Sequence, residues 1–272
     1  MTRARRCARE RRWLSPIAAL MLASCALAST VAPEARSQLA PTGKLRAAIN
    51  YGNPVLATQS PTTGELRGVT VELSRELGRR LDVPVELVGY ETVAKLIAGL
   101  KAGEWDVAFL AVDPARAGDV AFTAAYMEVE VTYLVPNQSD IRDVSQVDRP
   151  ALRIAVQARN AADLFLAREL KHASLVRAAD EAGALGILKA GSAEAYASNR
   201  QRLLSVVDAY PGYRIVDGRF TAIQHAAGVP SVRSAGAAYL RRFIEDVKAS
   251  GFVRRAIDRS GIRGVVVAPL AS

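Results

Sequence analysis

Leu100-Lys101-Ala102-Gly103-Glu104-Trp105-Asp106-Val107 is echoed 88 residues later by Leu188-Lys189-Ala190-Gly191-Ser192-Ala193-Glu194-Ala195. In both stretches an apolar helical run ends at a glycine suited to a left-handed cap. An acidic residue three places beyond that glycine opens a strand. Two such units imply a chain built as two comparable α/β lobes, an architecture that leaves a ligand cleft between them.

Around this repeat, strands and helices alternate. Leu45–Ile49 reads as a strand that runs into a Gly52-Asn53-Pro54 loop, and Pro61-Thr62-Thr63-Gly64 reads as a turn. Val71, Leu73, Leu77 and Leu81 recur near helical spacing and predict a helix over 70–81. A strand over 83–88, a helix over 92–102 and a buried strand over 105–111 follow. Residues 129–135 form a β-branched run. A second series comprises strand 152–156, helix 161–170, strand 175–176, helix 182–189 and strand 194–197. Tyr213–Val216 precedes an apolar run over 222–229, and helices are predicted over 235–250 and 253–259. Alternation of this kind calls for parallel sheet with crossover helices.

The chain begins with a basic stretch (Arg3, Arg5, Arg6, Arg9, Arg11, Arg12) followed by the apolar run 14–28. That is the layout of a secretory leader, and it is too short for a membrane span of roughly 20 residues. Residues 1–28 are expected to be removed on export. Ala26-Leu27-Ala28 supports ordinary cleavage before Ser29, which is favoured over lipidation at Cys25 of the lipobox-like Leu22-Ala23-Ser24-Cys25. The leader carries +5 of the formal +9 charge, so the remainder is near +4 and its basicity is no nucleic-acid footprint. The only cysteines, Cys7 and Cys25, lie in or beside the leader, so a mature fold must rest on its core rather than on disulfides. With two histidines, His172 and His225, neither a metal centre nor a cofactor is expected. Residues 29–43, with Pro33 and Pro41, read as a tether, and the tail after Ile262 reads as an extension docked on the body.

Gly64–Leu73, Leu100–Val107, Pro114-Ala115-Arg116 and Phe122–Tyr126, continued by Arg153–Gln157 and Ala190–Tyr196, occur in the order seen in a known family. In that ordered set the chain resembles the extracytoplasmic solute-binding proteins of amino-acid ABC importers, family 3, from Lys44 to about Ile262. The resemblance implies a two-lobed type II periplasmic binding protein fold, with two hinge crossovers at 129–135 and 222–229. Lobe one would comprise residues 44–130 and 226–272, and lobe two residues 131–225. It implies a periplasmic, monomeric protein that captures a small solute for an inner-membrane ABC permease and catalyses no reaction.

The resemblance also places the ligand site. Arg116 matches the arginine that grips a ligand carboxylate, for which a planar two-pronged donor is well suited. Asp113 stands where threonine is usual; it pairs with Arg116 in the empty state or accepts a ligand ammonium. The covering aromatic falls on Gly52, with Tyr51 one place off and Val55 where phenylalanine is frequent. The second-lobe donor loop falls on Arg159-Asn160-Ala161, and the usual amine-binding aspartate is Asn199. Asn53 and Tyr126 are placed at the rim, and His225 near the hinge. These departures favour a small carboxylate, with Arg159 for a second anionic group, over a standard α-amino acid. Glu194 reads as structural. Two alternatives stand beside solute capture. One is an accessory or sensory protein with an altered site; the other is a cyclohexadienyl-dehydratase-like enzyme, for which Asp113, Glu128 and Glu194 would be the acids at hand.

Overall fold

A computed structural model describes residues 31–271; the expected leader, Cys25 included, lies outside them. The elements are α1 (Pro33–Leu39), β1 (Leu45–Asn50), β2 (Thr58–Gln59), β3 (Leu66–Arg67), α2 (Val69–Leu81), β4 (Val85–Tyr90), α3 (Val93–Lys101), β5 (Val107–Ala111) and β6 (Val120–Pro136). They continue with β7 (Arg153–Gln157), α4 (Ala161–Glu169), β8 (Ser174–Ala178), α5 (Glu181–Lys189), β9 (Ala195–Asn199), α6 (Arg200–Ala209), β10 (Tyr213–Ile215), β11 (Thr221–Pro230), α7 (Ser234–Ala249), α8 (Phe252–Ser260) and β12 (Val265–Val267).

The repeat is a structural device used twice. α3 and α5 are capped at their starts by Thr92 and Asp180, whose side chains accept the Lys95 and Gly183 N–H. They end at Gly103 and Gly191, both with φ +68°. The next N–H groups close the same wide turn, Glu104 to the Gly99 carbonyl at 2.9 Å and Ser192 to that of Ile187 at 3.0 Å. The acidic residues then grip an arginine on the neighbouring strand. Asp106 accepts the Arg46 backbone N–H at 3.0 Å and its Nη2 at 2.9 Å. Glu194 accepts the Arg153 N–H at 2.7 Å and its Nη2 at 2.6 Å. Each carboxylate thereby locks the start of one parallel strand pair, β1–β5 or β7–β9.

The main sheet runs β4-β1-β5-β11-β6-β9-β7-β8. β5 and β6 are both antiparallel to β11 and so run the same way, while β9 is antiparallel to β6. β6 pairs with β11 along its first part, from Val120 to Val131, and with β9 only from Val131 to Leu134. The carboxyl ends of β1 and β5 therefore point toward the β7–β9 half, and those of β7 and β9 point back. This is the two-lobed α/β arrangement with a cleft between strand ends, and β6 and β11 are its crossovers. Two apolar clusters flank each half. Leu45, Phe109, Leu240 and Ile244 belong to the larger one, Trp105 and Leu110 lie across that half of the sheet, and Ile154 and Leu166 or Tyr196 and Leu203 cover the other half.

Three expectations need correction. Residues 29–43 are not a simple tether: Pro33 opens α1, as proline can at a first helical position. Leu39 enters the larger core, and the Gln38 side chain accepts the Gly236 N–H at 2.9 Å. The first crossover belongs to a strand of 17 residues rather than seven: β6 begins at Val120, and its pairing with β11 slips register between residues 122 and 127 without ending. Finally, α6 follows β9 with no loop between them. The tail does dock, with β12 pairing to residues 127–129 of β6.

Candidate ligand cleft

Each half brings its predicted site residues to the carboxyl ends of adjacent strands, where open α/β sheets bind ligands. At the end of β1, Asn53 accepts the Val55 N–H through Oδ1 at 3.1 Å, and its carbonyl accepts the Leu56 N–H at 2.9 Å. The resulting turn leaves no room for a side chain at position 52: a Cβ on Gly52 would lie 1.7 Å from the Glu91 carbonyl oxygen. An aromatic cover there is sterically excluded. Tyr51 rests partly buried against the core over Gly89. Val55 is a core residue and not a pocket wall, and Tyr126, expected at the rim, is fully buried edge-on to Phe109. Both are corrections, and both follow from apolar side chains finding the larger core.

At the end of β5, Arg116 closes a short 3-10 turn, Pro114–Arg116. Its Nη1 donates to the Ala111 carbonyl at 3.0 Å and its Nη2 stands 3.3 Å from Asp113. The half-buried guanidinium is thus aimed and held by its own strand end, with one carboxylate already beside it. Val112 is exposed next to it, and its N–H donates to the Gln224 carbonyl of β11 at 2.9 Å, tying this loop to a crossover.

In the facing half, Arg159 has φ +63°. That conformation is uncommon for a side-chain-bearing residue, and here the Arg159 N–H donates to Asp163 at 2.8 Å. Asp163 is buried and takes the Arg177 Nε as well, at 2.8 Å. The Arg159 guanidinium is exposed, with no hydrogen bond or ion pair among the described residues. Asn160 caps α4 and Asn199 caps α6, each Oδ1 accepting a backbone N–H, from Asp163 at 2.9 Å and from Arg202 at 2.8 Å. Both carbonyl oxygens are committed to helix starts, and their amide N–H groups make no hydrogen bond among the described residues.

The sequence reading overlooked Asn50. Its Oδ1 is buried at the end of β1 without a hydrogen-bond partner. The available signal was a polar residue closing an otherwise apolar strand. It also passed over the ion pairs on the crossovers, where Arg219 grips the buried Glu128 and Arg200 grips Glu130.

The carboxylates weighed as acids are engaged with arginines: Asp113 with Arg116, Glu128 with Arg219, Glu194 with Arg153. Arg153 also holds the Glu194 carboxyl below the usual range, which suits a structural clasp and not a proton donor. His225 sits on β11 opposite Ala111 and Met127, buried, with Nδ1 unpartnered. Burial pushes its pKa down to about 4. His172 is exposed on the second half, its N–H held by Asp148 at 2.8 Å. Among the described residues no group of three or more His, Cys, Asp or Glu side chains is placed to hold a metal, and no helix is long and apolar enough to cross a membrane.

Residues 45–259 match the family of bacterial extracellular solute-binding proteins, family 3. The ABC transporter glutamine-binding protein of Bacillus subtilis is 21% identical over 197 residues, covering 71% of this chain and 72% of that one. Among solved structures, the periplasmic VFT2 domain of Bordetella pertussis BvgS aligns with TM-score 0.62 at 20% identity, covering 84% of this chain and 97% of that domain. An ancestral cyclohexadienyl dehydratase aligns with TM-score 0.59 at 20% identity, covering 82% and 95%. At such identities the two structures bear on the fold alone.

Proposed function

The chain belongs to the bacterial extracellular solute-binding proteins, family 3, and from that membership we propose that it captures a small carboxylate-bearing solute outside the cytoplasm and hands it to an ABC importer. The observation that carries this reading is Arg116, half-buried at the carboxyl end of β5 and held by the Ala111 carbonyl and Asp113. A ligand carboxylate would displace Asp113 from the guanidinium or share it. Closure of the two halves about β6 and β11 would then exclude water and strengthen the charged contact. Arg159, exposed on the facing half, is the group to meet a second anionic function.

A second reading, an accessory or sensory protein of the same fold, is favoured by one set of observations. Position 52 is closed to an aromatic cover, and Asn199, in the place of an amine-binding carboxylate, has its only acceptor oxygen tied to Arg202. The dehydratase reading lacks support from the carboxylates, which are engaged with arginines.

A thermal-shift screen of the processed chain against amino acids, keto acids, dicarboxylates and small amides tests the proposal. A ligand at about 100 times its Kd adds roughly 2.7 kcal/mol, on the order of 5–10 °C for a domain of this size. No shift across the panel would replace solute capture with the accessory reading.

A further inference from the structure

The charge of the molecule is gathered on one face. α2, α7 and α8 pack on the same apolar cluster, and their outer sides carry eight basic against five acidic side chains, Lys248 of α7 being buried. That surplus of three is most of the net charge of about +4 carried by residues 29–272. Some of these cations are neutralised locally: Arg79 and Arg80 by Glu76, Arg259 by Glu72. Arg75, Arg241, Arg242 and Arg254 are exposed and form no ion pair among the described residues. Where α2 meets the end of α8, a cavity of about 570 Å³ is lined by Arg67, Arg75 and Arg259 together with Glu65 and Glu72, which pair with Arg67 and Arg259.

Apolar side chains accompany the charge. Among the described residues the two most exposed large apolar side chains are Val232 at 87% and Leu270 at 59%. The two lie at opposite ends of α7: Val232 stands two residues before its start, and Leu270 is held near its end, because Lys248 donates to the Pro269 carbonyl and the Ala271 N–H donates to Glu245. The chain also enters the fold here, since α1 docks on α7 through Gln38 and Leu39.

We propose that this face binds an anionic phospholipid surface. Exposed arginines gain about a fivefold affinity each near such a surface. Exposed apolar side chains at both ends of α7 suit a bilayer interface better than a purely polar partner. The inference goes beyond solute capture and uses none of the cleft residues.

Flotation of the processed chain with vesicles tests it, comparing about one-third phosphatidylglycerol in phosphatidylcholine with phosphatidylcholine alone, at low salt and at about 0.5 M salt. Binding is expected to the anionic vesicles only and to be lost at high salt. The triple variant Arg241→Gln, Arg242→Gln, Arg254→Gln should bind on the order of 100-fold more weakly. A control at exposed positions of the other half, Arg168→Gln with Lys171→Gln, should bind like the parent. Circular dichroism of both variants reports their folding. Equal partition onto neutral vesicles, no binding to anionic ones, or equal losses in variant and control would overturn the proposal.

Discussion

Asp106 and Glu194 occupy the same place in the two copies of the repeat, yet removing them should have very different consequences. Asp106 is 0% exposed and takes the N–H, Nε and Nη2 of Arg46 together with Nη1 of Arg233 at 2.8 Å. Arg233 also donates to the Gln38 carbonyl at 2.8 Å, so one carboxylate joins β1, β5, α1 and the start of α7. Asp106→Ala would leave the guanidiniums of two arginine side chains, each 19% exposed, and a backbone N–H without their shared carboxylate, a loss of about 3–5 kcal/mol. Glu194 holds a single arginine, and its own side chain and that of Arg153 are 41% and 43% exposed. Water replaces what Glu194→Ala removes, so that loss should not exceed about 1 kcal/mol. Urea unfolding of the processed chain followed by circular dichroism, with parent and both variants analysed at a common m-value, gives the comparison. A gap of at least about 2 kcal/mol is expected. Equal losses, or a larger loss for Glu194→Ala, would refute the argument that burial and partner number decide the strength of the clasp.

Gly103→Ala and Gly191→Ala place a Cβ in open space at φ +68°; each should cost about 1–2 kcal/mol by the left-handed conformation alone, and differential scanning calorimetry should find the two losses alike. Gly52→Ala is different in kind: its Cβ collides with the Glu91 carbonyl, and a loss of about 3 kcal/mol or more is expected in the same experiment. His225 has a pKa pushed down to about 4 by burial, whereas the unfolded chain protonates it near its ordinary 6.5. Stability from this group is therefore complete above pH 6.5 and lost as pH falls toward 4, by up to about 3 kcal/mol. In urea titrations at stepped pH, His225→Leu should flatten that part of the profile; an unchanged slope would rule out the buried imidazole as its source.

Much of the fold was legible because its signals are local. The Leu-Lys-Ala-Gly repeat marks both helix ends, and the apolar spacing of Val71, Leu73, Leu77 and Leu81 marks α2, all four of which enter the larger core. What escaped depended on tertiary context. Prolines at 33 and 41 suggest a linker, but Leu39 finds a core place that composition does not reveal. α6 was hidden because Asn199, its cap, drew attention as a ligand residue, and no Gly or Pro separates strand from helix. The site was legible by position only. Alternation of elements places only the strand ends that carry Arg116 and Arg159, and their ligand role is implied by the family resemblance; the commitment of the Asn53, Asn160 and Asn199 oxygens to backbone N–H groups requires three-dimensional geometry. Asn side chains cap helices and bind ligands with the same atoms, so sequence alone does not separate the two uses.

Calorimetric titration of the strongest solute from the thermal screen into the parent and into Arg116→Ala tests the central claim most directly. The guanidinium is held in place by Ala111 and Asp113 and is not part of the core, so the variant should fold as the parent does. Solute capture predicts a saturable one-to-one binding curve for the parent. In Arg116→Ala the loss of a charge-assisted carboxylate contact in a closing cleft should weaken binding by about 2–5 kcal/mol, or at least 30-fold. Equal affinity in parent and variant would contradict the account and place the solute elsewhere on the molecule.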